Sequence, residues 1–199
     1  MERDYGVWKF SGKEKAKLIL SYLGLCGLVS WLFYHSFWAV LPFLAGLPGF
    51  LKKSREKRIR ERREELLTEF LTGIRAIASA LDAGYSMENA LGEALKETEK
   101  VYGMDGVFTE ELREMERKRN LNQSMETLWA DLGKRSGLED IENFGEIFQV
   151  ARRSGGNLKE IIQSTADNIT RKTETRREIE IRLAAKKMEQ KVMSAVPFF

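Results

Sequence analysis

One cysteine, one histidine and three prolines are all that 199 residues contain of these types. A single Cys excludes an internal disulfide framework and any Cys-rich zinc site. A single His excludes His-pair metal sites and argues against His-based catalysis. No Gly-rich phosphate loop of the P-loop type is present, and no Cys–His or Ser–His pair has local support. The net charge is only +3, from 33 basic and 30 acidic residues. A dedicated nucleic-acid binder carries a strong basic excess, so this balance argues against one. Strand-like alternation is not evident anywhere, so the expected fold class is all-α.

The most informative absence is local. From Leu18 to Leu51 there is no Asp, Glu, Lys or Arg. As one helix this block would be ~51 Å long, against a bilayer hydrocarbon core of ~30 Å. One span overshoots, so two are expected. The middle, Trp31 to Trp38, is aromatic and mildly polar, and a turn near His35 would place it at a membrane interface. A re-entrant second half, with Pro42, Gly46, Pro48 and Gly49, is the rival. Lys9, Lys13, Lys15 and Lys17 precede the block. Residues 52–64 follow it with eight basic and three acidic side chains, a local charge of +5. Cations on both flanks place both ends in the cytoplasm. Cys26, inside the first span, reads as a small apolar packing residue.

The expected layout is a cytosolic tail (1–17), a transmembrane helical hairpin (18–51) and a basic juxtamembrane linker (52–64). A cytosolic six-helix bundle (65–191) and the start of a truncated further span (192–199) complete it. The linker reads as a stop-transfer cluster touching anionic headgroups. A nucleic-acid patch and a dedicated lipid-headgroup pocket are its alternatives.

In the bundle, Leu66, Phe70, Ile74, Ile77 and Leu81 form a wide helical stripe. Gly84 is a stop and Ser86 an N-cap for the next helix, with Met87, Ala90, Leu91, Ala94 and Leu95 inward. After a loop at 103–106, Thr109 opens a short polar helix that breaks at 120–123. Ser124 starts a helix with Met125, Leu128, Trp129 and Leu132 inward. A break is expected from Gly133 to Gly137. Ile141, Phe144, Ile147, Phe148 and Ala151 make the next apolar face, which Ser154-Gly155-Gly156 ends. Asn157 caps the last helix, which runs as a long charged helix to Lys191. Glu110, Glu111, Glu114 and Glu116 read as a solvated face rather than an acid–base or metal site.

Three segments echo one another: Gly84-Tyr85-Ser86-Met87-Glu88, Asn122-Gln123-Ser124-Met125-Glu126 and Gly155-Gly156-Asn157-Leu158-Lys159. In each, a Gly or Asn breaks one helix, a small polar residue caps the next, and an apolar residue follows.

With the hydrophobic pair and basic segment before them, Ala83-Gly84-Tyr85-Ser86-Met87 and Ala151-Arg152-Arg153-Ser154-Gly155-Gly156-Asn157-Leu158 resemble the type II secretion system F protein family. The likeness is closest to its Tad pilus branch, over residues ~52–199. The middle copy departs from the usual pattern, with Asn120 to Gln123 where a Gly is common. The resemblance implies a multi-pass inner-membrane platform protein that is not an enzyme, with no catalytic, cofactor or metal residues. Its implied partners are a hexameric assembly ATPase, pilin or pseudopilin subunits, other platform subunits, further copies of itself and membrane lipids, with no nucleic acid. Gly84, Ser86, Gly155, Gly156 and Asn157 are the expected turn residues, and Arg152, Arg153 and Lys159 the expected docking cations. The alternative reading is a membrane-anchored regulatory or nucleic-acid-binding domain.

Overall fold

Seven helices and no strand make up the described residues of the computed structural model, which are 4–6, 12–34, 47–154 and 158–195. They are α1 (Gly12–Tyr34), α2 (Leu47–Asp82), α3 (Met87–Tyr102), α4 (Val107–Asn120), α5 (Met125–Ser136), α6 (Glu139–Ser154) and α7 (Leu158–Ala195). The chain divides into two units: residues 1–66 with 135–137, and 67–134 with 138–199.

The first unit holds α1 and the start of α2. α1 ends at Tyr34, next to the turn expected at His35; that turn and most of the second expected span lie outside the described residues. No helix among the described residues is long and apolar enough to cross a membrane. The basic segment 52–64 is the interior of α2 rather than a break between elements. Lys, Arg and Glu are good helix formers, and Glu61 lies 3.6 Å from Lys57 and 3.9 Å from Arg58, one turn back. Tyr22 and Phe50 bring α1 and α2 together, with ring centroids 5.0 Å apart. Tyr5 is buried; its backbone N–H donates to the Arg135 carbonyl at 3.0 Å, and the Arg62 guanidinium lies 5.5 Å from its ring centroid.

The second unit is built on an aromatic core. Phe70 of α2 meets Phe108 of α4 at 5.4 Å and Phe144 of α6 at 5.3 Å, both edge-on. Trp129 of α5 lies 4.8 Å from Phe144 and 6.1 Å from Phe148. Each such pair contributes ~0.5–1.5 kcal/mol beyond the burial of its area. The expected stripes face this core: Ile74 and Ile77 on α2, Ala90, Leu91 and Ala94 on α3, Leu128 and Leu132 on α5, Ile162 and Ile169 on α7. Ile147 is an exception, 40% exposed and turned out of the stripe on α6.

Two expected boundaries move for tertiary reasons. α4 begins at Val107 rather than Thr109, because Glu69 Oε2 on α2 accepts the Phe108 N–H at 2.8 Å. A carboxylate from another helix supplies the cap that Gly106 lacks. The break expected from Gly133 is confined to Gly137 and Leu138, since α5 continues to Ser136. Gly133 lies within the helix, where a Cβ would come within 2.9 Å of the Glu142 Cα. Its role is close approach of α5 to α6, not helix breaking.

α7 is 38 residues, ~57 Å at the usual rise. Its packed part ends near Thr173, and residues 174–190 are exposed throughout.

Candidate functional site

The first two of the repeated segments fold alike. At the end of α2, the Gly84 N–H donates to the Leu81 carbonyl at 3.1 Å and the Tyr85 N–H to that of Ala80 at 3.0 Å. At the end of α4, the Asn122 N–H donates to the Arg119 carbonyl at 2.8 Å and the Gln123 N–H to that of Lys118 at 3.2 Å. Both are Schellman closures, which need a left-handed residue. Gly84 supplies it at φ +88° and Asn122 at φ +65°. Asn is among the few non-Gly residues that visit this region readily, so it does here what Gly does elsewhere.

The caps that follow also match. Ser86 Oγ accepts the Asn89 N–H at 3.3 Å, and Ser124 Oγ accepts the Thr127 N–H at 3.3 Å. The third turn joins α6 to α7, but Gly155, Gly156 and Asn157 lie outside the described residues. α6 ends at Ser154 and α7 begins at Leu158, on either side of them.

The starts of α3 and α5 meet the end of α6 at one rim. Arg152, in the last turn of α6, reaches both repeated carboxylates: Nε lies 3.1 Å from Glu126 and Nη1 3.4 Å from Glu88. Glu88 and Glu126 each stand two residues after a capping serine. Lys159 holds the corresponding place after Asn157, with the opposite charge. It reaches back to Asp82 at the end of α2, 2.6 Å away. Arg119, in the last turn of α4, donates to the Glu88 carbonyl. The two arginines thus tie four helix ends together, the starts of α3 and α5 and the ends of α4 and α6, and the lysine ties the start of α7 to the end of α2.

The charge state follows. The backbone N–H of Glu88 holds its carboxyl below the usual carboxylate range; burial opposes this, and the Arg152 charge and hydrogen bond add to the lowering. These are partly exposed pairs, with Arg152 37% and Glu126 22% accessible, each worth ~0–1 kcal/mol. The aromatic core and caps therefore supply most of the stability around the rim.

Of the expected docking cations, Arg152 and Lys159 are engaged within the domain. Arg153 is exposed. Sequence reasoning missed Arg119, Asp82 and the pairing role of Glu88 and Glu126. The signal for the last two was their equal place in the repeat. Among the described residues no group of His, Cys, Asp or Glu could hold a metal ion.

An all-α domain with an aromatic core, in which a left-handed residue and a capping serine recur between helices, is the class of protein these features define. Residues 74–199, 126 of the chain's 199, match the family described as type II secretion system (T2SS), protein F. The chain belongs to that family, whose members are structural platform proteins of secretion and pilus systems rather than enzymes. No curated protein matches the chain, and no solved structure does.

Proposed function

We propose that the chain is a multi-pass inner-membrane platform protein of a type II secretion or Tad pilus assembly machine, which couples a cytosolic hexameric ATPase to extraction of pilin or pseudopilin subunits. The match over 74–199 carries this reading. In it, residues 18–51 form a hairpin in the bilayer, the helical domain lies in the cytoplasm with the N-terminal tail, and 192–199 opens a further span. Further copies and other platform subunits assemble beside it.

The rim supports the mechanical part. A coupling domain passes displacement only if its helices move together, and close-packed interiors transmit strain. Here Arg152 joins the starts of α3 and α5 to the end of α6, and Lys159 joins the start of α7 to the end of α2. A displacement of α6 at Arg152 is thereby felt at the starts of α3 and α5, and one of α7 at Lys159 at the end of α2. Arg153, exposed beside them, is the docking cation whose charge faces outward. Acidic residues in the first turns of α3 and α5, Glu88 and Glu126, disfavour the approach of a phosphate backbone.

The test is co-purification of the assembly ATPase with the full-length protein from detergent-solubilised membranes. Arg153→Glu is expected to abolish capture while the variant keeps its helical content and thermal midpoint. Undiminished capture by that variant would remove the docking assignment.

A further inference from the structure

The first unit contains a cleft of about 550 Å³ between α1 and the basic part of α2. Glu14, Lys17, Leu18 and Ser21 line it from α1, and Ser54, Lys57, Arg58 and Glu61 from α2. Both sets follow the same spacing of three, one and three residues, so each is a single helix face. The two faces run in opposite directions and mirror each other. Carboxylates stand at one end, cations in the middle and serine hydroxyls at the other end.

The orientation is set by what lies past the serines. Tyr22 and Phe50 close that end with their ring contact. Beyond them α1 continues uncharged to Tyr34, and α2 begins with the uncharged residues 47–51. The cleft therefore grades from charged to polar to aromatic to apolar along one axis. A phospholipid has the same order: charged headgroup, phosphodiester, ester region and acyl chain. Aromatic rings concentrate at that depth of a bilayer.

The cations are available. Glu61 is 3.6 Å from Lys57 and 3.9 Å from Arg58, at the outer limit of ion pairing, with all three side chains about half or more exposed. Such contacts yield readily to a phosphate, which offers several oxygens to Arg and Lys at once. Ser21 and Ser54 have no hydrogen-bond partner of their own among the described residues, and a hydroxyl donates well to a phosphate oxygen.

We propose that this cleft is a binding site for the phosphodiester of an anionic phospholipid, held by Lys17, Lys57 and Arg58 with Ser21 and Ser54 donating from the apolar side. The site goes beyond the platform reading but rests on its placement of residues 18–34 in the bilayer. It converts a general attraction of the basic segment for anionic headgroups into a defined contact, one that pins α1 against α2 at a fixed depth.

The experiment uses the full chain reconstituted into phosphatidylcholine vesicles with a minor fraction of phosphatidylglycerol. The protein is floated with the vesicles, extracted in mild detergent, and the co-purifying lipid quantified. Retained lipid is expected to be enriched in phosphatidylglycerol about fivefold over the vesicle composition. The triple variant K17Q/K57Q/R58Q should lose that enrichment. K13Q/K53Q/R60Q, which removes as much charge outside the cleft, should keep it, and S21A/S54A should reduce it. Equal loss in the two triple variants would overturn the site in favour of diffuse charge attraction, as would flotation of the wild type without enrichment. Inorganic phosphate at millimolar concentration should not displace the lipid; displacement would identify free phosphate as the ligand and overturn the lipid assignment. Failure to float with any vesicle would overturn the membrane placement, and the site with it.

Discussion

Asn122 holds at the end of α4 the left-handed backbone that Gly84 holds at the end of α2, at φ +65° and +88°. Any residue with a Cβ branch is strained there, by about 1–2 kcal/mol. Asn122→Val and Gly84→Val are each expected to lower stability by about that amount in denaturant unfolding. Asn122→Gly should stay within about 0.5 kcal/mol of the wild type. Equal destabilisation by Asn122→Gly and Asn122→Val would show that the Asn side chain, rather than its backbone, closes the turn.

Arg152, at the end of α6, joins Glu88 of the first repeat to Glu126 of the second. Glu88 has its pKa lowered in the folded state. Its contribution is therefore complete above the unfolded-state value and is lost as pH falls through the folded one. Acid titration of stability should show this loss in the wild type, below the ordinary carboxylate range. Arg152→Met should diminish it without removing it, because the backbone N–H of Glu88 remains the larger cause. A pH profile identical in the two proteins would mean that Arg152 does not act on Glu88.

Glu69 is buried and caps α4 from another helix. Glu69→Ala leaves the Phe108 N–H buried without its acceptor, at a cost of about 1–3 kcal/mol. Glu69→Gln keeps an acceptor oxygen and is expected to recover most of the loss. Hydrogen exchange at the first turn of α4 reads the difference directly. Unchanged protection in Glu69→Ala would contradict the cap.

The two halves of α7 should differ sharply. Ile162→Ala, in the packed half of α7, is expected to cost about 2–5 kcal/mol. Ile181→Ala, in the exposed half of α7, should change stability by less than about 0.5 kcal/mol. A large loss at Ile181 in the isolated chain would mean that the exposed half packs against something.

Much of the second unit was legible because its signals are local. Gly84, Ser86 and Ser124 act through bonds that span three to five residues, and the stripes at Leu91, Trp129 and Phe144 follow the helical period. What was missed depends on a neighbour in space. Thr109 reads as the start of α4 because nothing near it in sequence announces that Glu69 will cap Phe108. Gly133 reads as a breaker because close approach of Glu142 cannot be seen from composition. The basic segment 52–64 reads as a linker because charge density hides good helix propensity. At the rim, the turns at Gly84 and Asn122 follow from their own residues, whereas the ion pairs of Arg152 and Lys159 join residues far apart in the chain.

The central claim is that the helical domain stands in the cytoplasm on a segment embedded in the inner membrane. It is tested most directly by labelling a single cysteine at the exposed position 97 (Glu97→Cys in a Cys26→Ser background) with a maleimide that cannot cross that membrane. The account predicts no labelling in intact cells and full labelling once the inner membrane is permeabilised. Labelling in intact cells would contradict it.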